Sequence, residues 1–143
     1  MTHAVHQIAY FDSTLDEAMA LAREARDYLA HQKQADFDKL SPTGKLVASC
    51  ESMRLTARVT QVVAWLLVQK AVHAGELTRE QAAEEDYRLA GQSVCEQTEP
   101  VIDTPLPERL AQLLESSYRL YQRVARLDAM LDQDHIGAAS AKT

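Results

Sequence analysis

The chain has 143 residues, 46% of them hydrophobic and 25% charged, the proportions of one globular domain long enough to bury a core. A formal net charge of −6 and a pI near 5.3 argue against non-specific nucleic-acid binding and against anchoring on anionic lipid, both of which need a basic face. With four Gly, four Pro and 6% aromatic residues, the composition favours helices over sheets.

Residues 1–12 carry neither the basic nor the apolar region of a signal peptide and read as a flexible lead-in. Cys50 and Cys95 make no motif, so they are expected to be reduced thiols in the cytoplasm. Ser13 or Thr14 offers a helix N-cap, with Asp16 and Glu17 at the positive end of the dipole. Phe11, Leu15, Ala18, Ala22, Ala25 and Leu29 then recur at steps of four and three, a seam whose alanines let a neighbouring helix approach closely. This helix should fray between Gln32 and Leu40, and Ser41-Pro42-Thr43-Gly44 is a turn in which Ser41 or Thr43 can cap the next helix.

The central helix is expected from near Lys45 to Gly75. From Cys50 on it contains no Pro, and no Gly until Gly75, a good residue for a left-handed C-cap. Leu55, Val59 and Val62 share one side, while Arg54, Arg58 and Gln61 step along another. From Val62 to Val68 every residue is apolar. That run is far short of the roughly 18 residues of a membrane span, so the helix should be wedged between other helices or against a second subunit.

Thr78 with Gln81 reads as a capping box for a short helix reaching about Ala90. Its core face would be Ala83, Tyr87 and Ala90, widened by Leu89, and Gly91 would stop it. Residues 91–105 lose all periodicity, and a loop that long inside a bundle is either functional or mobile. Thr104 with Pro105 or Pro107 can open the last helix. There Leu106, Leu110, Leu113, Ser117, Leu120, Val124, Leu127 and Leu131 alternate strictly by four and three. Residues 135–143 read as a disordered tail. The pattern predicts an all-α fold: an antiparallel, up-down three-helix bundle with a short accessory helix over 13–134.

The residues give little for catalysis. The five histidines never fall at His-x-x-x-His spacing and none follows a Glu by three, so no metal site is expected. Cys50 lines up with Met53 and Ala57 as a small hydrophobe, and Cys95 should be exposed on the loop, with Glu96 raising its pKa. Neither a Gly-rich phosphate loop nor Gly-x-Ser-x-Gly occurs. No catalytic residue and no cofactor site is therefore expected.

One constellation stands out. Glu51, Arg54, Arg58, Gln61 and Gln69 make a connected polar face on the central helix, with Trp65 on the same side. These six are the candidate partner-binding residues, since Arg presents a planar fork to carboxylates and Trp with Arg favours interface centres. Two other readings stay open. The face can be a solvated one stitched by Glu51 to Arg54, as in a purely structural dimerisation domain, or it can serve a helical-bundle enzyme acting on a small anion in the manner of chorismate mutase. Asp128, Asp132 and Asp134 sit where the last helix's dipole is negative, which points to fraying or to a basic partner.

The block from Ser49 to Arg58, SCESMRLTAR, runs on through Ala64-Trp65-Leu66-Leu67 and Gln69 to Glu76. With Asp16-Glu17-Ala18-Met19 and Ala25-Arg26-Asp27-Tyr28 upstream, it resembles the regulator of CtrA degradation (RcdA) family from about Phe11 to Leu131. The resemblance implies a small cytosolic helical bundle that is an adaptor and not an enzyme. It implies a homodimer that delivers protein substrates to the ClpXP protease together with partner adaptors, in cell-cycle control. It implies no catalytic residues, no metal, no nucleic acid and no membrane.

Overall fold

The computed structural model describes residues 2–98 and 104–141, with side chains from His6 to Thr98 and from Thr104 to Leu131. Three long helices, α1 (Thr2–Asp27), α3 (Pro42–His73) and α6 (Glu108–Ala141), form the bundle. Among the described residues there is no strand, and no helix is long and apolar enough to cross a membrane.

Helix α1 packs Phe11, Thr14, Ala18, Leu21 and Ala25 into the core, with Leu15 and Ala22 at its margin, and Tyr28 and Leu29 continue that face in the turn that follows. The expected flexible lead-in over 1–12 is corrected: helix runs from Thr2 onward. Its anchor is Phe11, 8% exposed, whose ring lies edge-on to Trp65 at 5.9 Å and beside His73 at 5.5 Å. Thr14 is accordingly no cap. It lies inside the helix and its hydroxyl donates to the Tyr10 carbonyl at 2.8 Å, the i−4 bond that lets a buried threonine satisfy itself. At its far end α1 passes through a π turn, Tyr28–Gln32, into α2 (Lys33–Asp38). The Tyr28 hydroxyl donates to Asp36 at 3.0 Å across that turn.

Helix α3 begins three residues ahead of expectation because Ser41 caps it, accepting from the Gly44 N–H at 3.0 Å, with Pro42 in the first turn. It ends as predicted. Gly75 takes φ 78°, and the Glu76 N–H returns to the Ala71 carbonyl at 2.9 Å, closing a left-handed cap. The capping box of Thr78 and Gln81 forms as well, starting α4 (Arg79–Ala82). That helix stops short of Ala90. The acidic run Glu84-Glu85-Asp86 leaves it through a 3-10 turn, Glu85–Tyr87, and Arg88 is extended. Leu89 enters the core at 5% exposure while Tyr87 stays exposed. A short α5 (Gln92–Cys95) follows Gly91, and residues 99–103 of the expected irregular loop lie outside the described residues.

Helix α6 buries Leu110, Leu113, Ser117, Leu120 and Val124 as the periodicity predicts, together with Leu114 and Tyr121. It runs on to Ala141, so residues 135–141 of the expected disordered tail 135–143 are helical and 142–143 lie outside the described residues; Ala138, Ala139 and Ala141 are strong helix formers, and one glycine, Gly137, does not outweigh them.

Helix direction departs from the up-down expectation in one respect. Asp12 meets Lys70 at 3.9 Å, so α1 and α3 are antiparallel. Glu17 meets Arg123 and Glu24 meets Arg109, so α1 and α6 are antiparallel too. Arg58, however, reaches Leu114 and Ser117 while Trp65 reaches Asp128. Helices α3 and α6 therefore run in the same direction. Antiparallel neighbours need only a short loop, whereas residues 74–107 travel back along a helix about 48 Å long. The long unpatterned link is that return path.

The side of α3 turned away from the core is apolar. Leu46, Cys50, Met53, Ala57, Thr60, Ala64, Leu67 and Ala71 repeat by four and three opposite Leu55, Val62 and Leu66. Leu46 is 62% exposed, Met53 72% and Leu67 51%.

Candidate functional site

Residues 88–98 form a strap laid over the groove between α3 and α6, and the predicted polar face lies beneath it. Arg58 sits between Leu55 and Val62 on the inward face of α3 and is 2% exposed. Its Nε donates to the Cys95 carbonyl at 2.8 Å, Nη2 to the Gln97 carbonyl at 2.6 Å, and Nη1 to the Leu114 carbonyl at 2.9 Å and Ser117 Oγ at 3.3 Å. The guanidinium also lies 5.1 Å from the centre of the Tyr118 ring. Burial, followed by the neighbouring Arg54 charge, lowers the pKa of Arg58.

Arg54 bridges the strap to the helix. Its Nη1 donates to the buried Glu51 carboxylate and its Nε to the Val94 carbonyl at 3.0 Å. Gln61 accepts from the Ala90 N–H at 3.1 Å, and the Tyr121 hydroxyl donates to the Ala90 carbonyl at 3.0 Å. One turn on, the Trp65 indole N–H donates to Asp128 Oδ1 at 2.9 Å. Arg88 forks onto the same carboxylate, Nε to Oδ1 at 2.8 Å and Nη2 to Oδ2 at 2.9 Å. Gln69 is buried at the end of this row.

Five of the six predicted residues are thus joined in one network, with Gln69 buried beyond it, and their polar atoms are spent on the chain's own backbone and side chains. Those contacts correct the picture of a solvated face. They also remove the geometric requirement of the anion-enzyme reading, because the donors of Arg58 are engaged by carbonyls and do not converge on an open cavity. A groove of about 610 Å³ does exist, but it lies at another end of the bundle, between Asp36, Lys39 and Leu40 on one side and Leu106 with the first residues of α6, Glu108 and Arg109, on the other.

Sequence reasoning missed two partners. Asp128 stands in the periodic α6 pattern four residues after Val124, 8% exposed, and its basic partner is Arg88 of the same chain. An acid one turn after Val124, beside the seam position Leu127, was the available signal. Cys95, expected to be exposed, is fully buried at the end of α5. Burial pushes its thiol pKa up, Glu96 adds to this, and Arg58 and Arg54 oppose it. Gly91 holds the strap's bend at φ 77°, and a Cβ there would meet Cys95 Sγ at 3.3 Å.

The comparisons with known proteins agree with this architecture. A model of the family described as DUF1465, a protein family of unknown function, matches residues 3–142. No curated protein matches the chain. Among solved structures, the chain is similar to the crystal structure of RcdA from Caulobacter crescentus CB15, with 40% identity and a TM-score of 0.70 over 85% of this chain and 89% of that one. The chain belongs to the DUF1465 family, which is the family of RcdA.

Proposed function

We propose that this protein is a cytoplasmic, non-catalytic adaptor of regulated proteolysis that brings protein substrates and partner adaptors to the ClpXP protease in cell-cycle control. The observation that carries the reading is the 40% identity to RcdA across most of both chains. The arrangement of the polar face supports it. Glu51, Arg54, Arg58, Gln61 and Trp65 spend their chemistry on fastening a surface strap, Gln69 is buried at the end of the same row, and we assign partner contact to that strap and these six residues under it.

The protein works as a homodimer in this reading, paired through the outer face of α3. Leu46, Met53 and Leu67 are large apolar side chains left exposed along this one helix face, the kind of surface that a partner covers. The stripe carries no charged residue from Leu46 to Ala71, and its step of four and three suits a second helix at a shallow angle. Association of the purified protein with ClpX or its adaptors in a co-purification assay is the expected result; its absence with every component would overturn the adaptor reading. Sedimentation should give a dimer at micromolar concentration and a folded monomer for Met53→Glu/Leu67→Glu. A wild-type monomer would refute the α3 interface.

A further inference from the structure

We propose that the Arg54–Arg58 pair is a carboxylate-binding site held closed by the strap's own carbonyls, and that an acidic segment of a partner protein occupies it by displacing residues 94–97. The inference rests on the reading of the chain as a protein that acts through protein contacts. It begins with a charge imbalance. Two guanidiniums lie under the strap, and among the described residues one carboxylate, Glu51, pairs with them, through Arg54. Arg58 is buried to 2% exposure, yet its bonds go to three neutral carbonyls and a serine hydroxyl. A guanidinium and a carboxylate make a two-pronged contact in which both partners are ionised, whereas a carbonyl offers one neutral acceptor oxygen, so the carbonyls are the weaker occupants of those donors.

The strap is built to be exchanged. It buries two apolar side chains, Leu89 and Cys95, and leaves Val94 45% exposed. Most of what fixes it is side chain to main chain, the kind of contact an incoming backbone and carboxylate can reproduce. Its two halves are anchored separately. Arg88 and Ala90 are tied to Asp128, Gln61 and Tyr121, while Val94, Cys95 and Gln97 are tied to the two arginines. Gly91 lies between the halves in a left-handed conformation, a natural pivot. Residues 94–97 can therefore lift while 88–90 stay docked.

The test uses the full chain and a fluorescein-labelled, end-blocked peptide, Ala-Ala-Glu-Glu-Ala-Ala, against its Gln-Gln isostere. The acidic peptide should bind at least about tenfold more tightly by fluorescence polarisation, with the preference shrinking as salt rises. Bound peptide should accelerate amide hydrogen exchange at Cys95, Glu96 and Gln97 and leave the buried turns of α3 unchanged. Arg54→Gln, whose amide can still donate to the buried Glu51 carboxylate beside it, should abolish the preference with an unchanged circular dichroism spectrum. Equal affinity for the two peptides, binding without faster exchange in the strap, or a preference that survives Arg54→Gln would each overturn the proposal. No protease component is present, so this result stands apart from that of the adaptor assay.

Discussion

Replacing Asp128 with Ala removes a carboxylate that joins α3, α6 and the strap. Two losses follow. The indole N–H of Trp65, a residue 2% exposed, is left without its 2.9 Å acceptor, and stranding a buried donor costs about 1–3 kcal/mol. The fork from Arg88 is also lost; with the two side chains 27% and 11% exposed, it adds roughly 0.5–1 kcal/mol after solvent screening. The expected total of about 2–4 kcal/mol corresponds to a Tm lower by roughly 5–15 °C for a domain of this size. Asp128→Asn keeps an acceptor for the indole and should lose only about 1 kcal/mol. Trp65 is the chain's single tryptophan, so urea and thermal unfolding followed by its fluorescence read the site directly. An Ala variant within about 1 °C of wild type, with unshifted emission, would refute the account of how the strap is fastened.

Arg58→Met keeps the buried hydrocarbon but removes the donors to the Cys95, Gln97 and Leu114 carbonyls. Stability should fall by about 2–4 kcal/mol, with hydrogen exchange rising most in residues 88–98. Cys95 should resist a thiol reagent in the folded chain because burial pushes its pKa up. Cys50, on the outer face of α3, should react faster in Met53→Glu/Leu67→Glu than in wild type. Burial also holds the Tyr121 hydroxyl in its neutral form, its pKa pushed up from 10.0 to about 12. The folded state therefore binds the proton more tightly than the unfolded chain. That contribution to stability is fully present below pH 10 and is lost as pH rises towards 12, which ultraviolet titration with parallel unfolding curves will detect.

Features written in neighbouring residues were legible in the sequence. Ser41 with Pro42, Gly75, and Thr78 with Gln81 each act within one turn of helix, and each does what its local chemistry requires. The α6 seam was legible because burial on one face imposes a period, whatever it packs against. What escaped was made of distant partners. Arg88 and Asp128, Arg58 and Leu114, and Gln61 and Ala90 are far apart in the chain, and no local pattern couples them. The parallel course of α3 and α6 escaped for a related reason: the length of the 74–107 link was visible, but its path is fixed by those same pairings. Arg58 itself was legible in retrospect, three residues after Leu55 and four before Val62, a charged residue inside an apolar stripe that had to find acceptors.

Reconstituted turnover tests the central claim most directly. Purified ClpX, ClpP, the partner adaptors and an adaptor-dependent substrate are combined with and without this protein, and loss of the substrate is followed by gel. The account predicts faster degradation that saturates as the protein is added and that needs no turnover chemistry of its own. Degradation at the same rate at every concentration, with all components active on a control substrate, would contradict it.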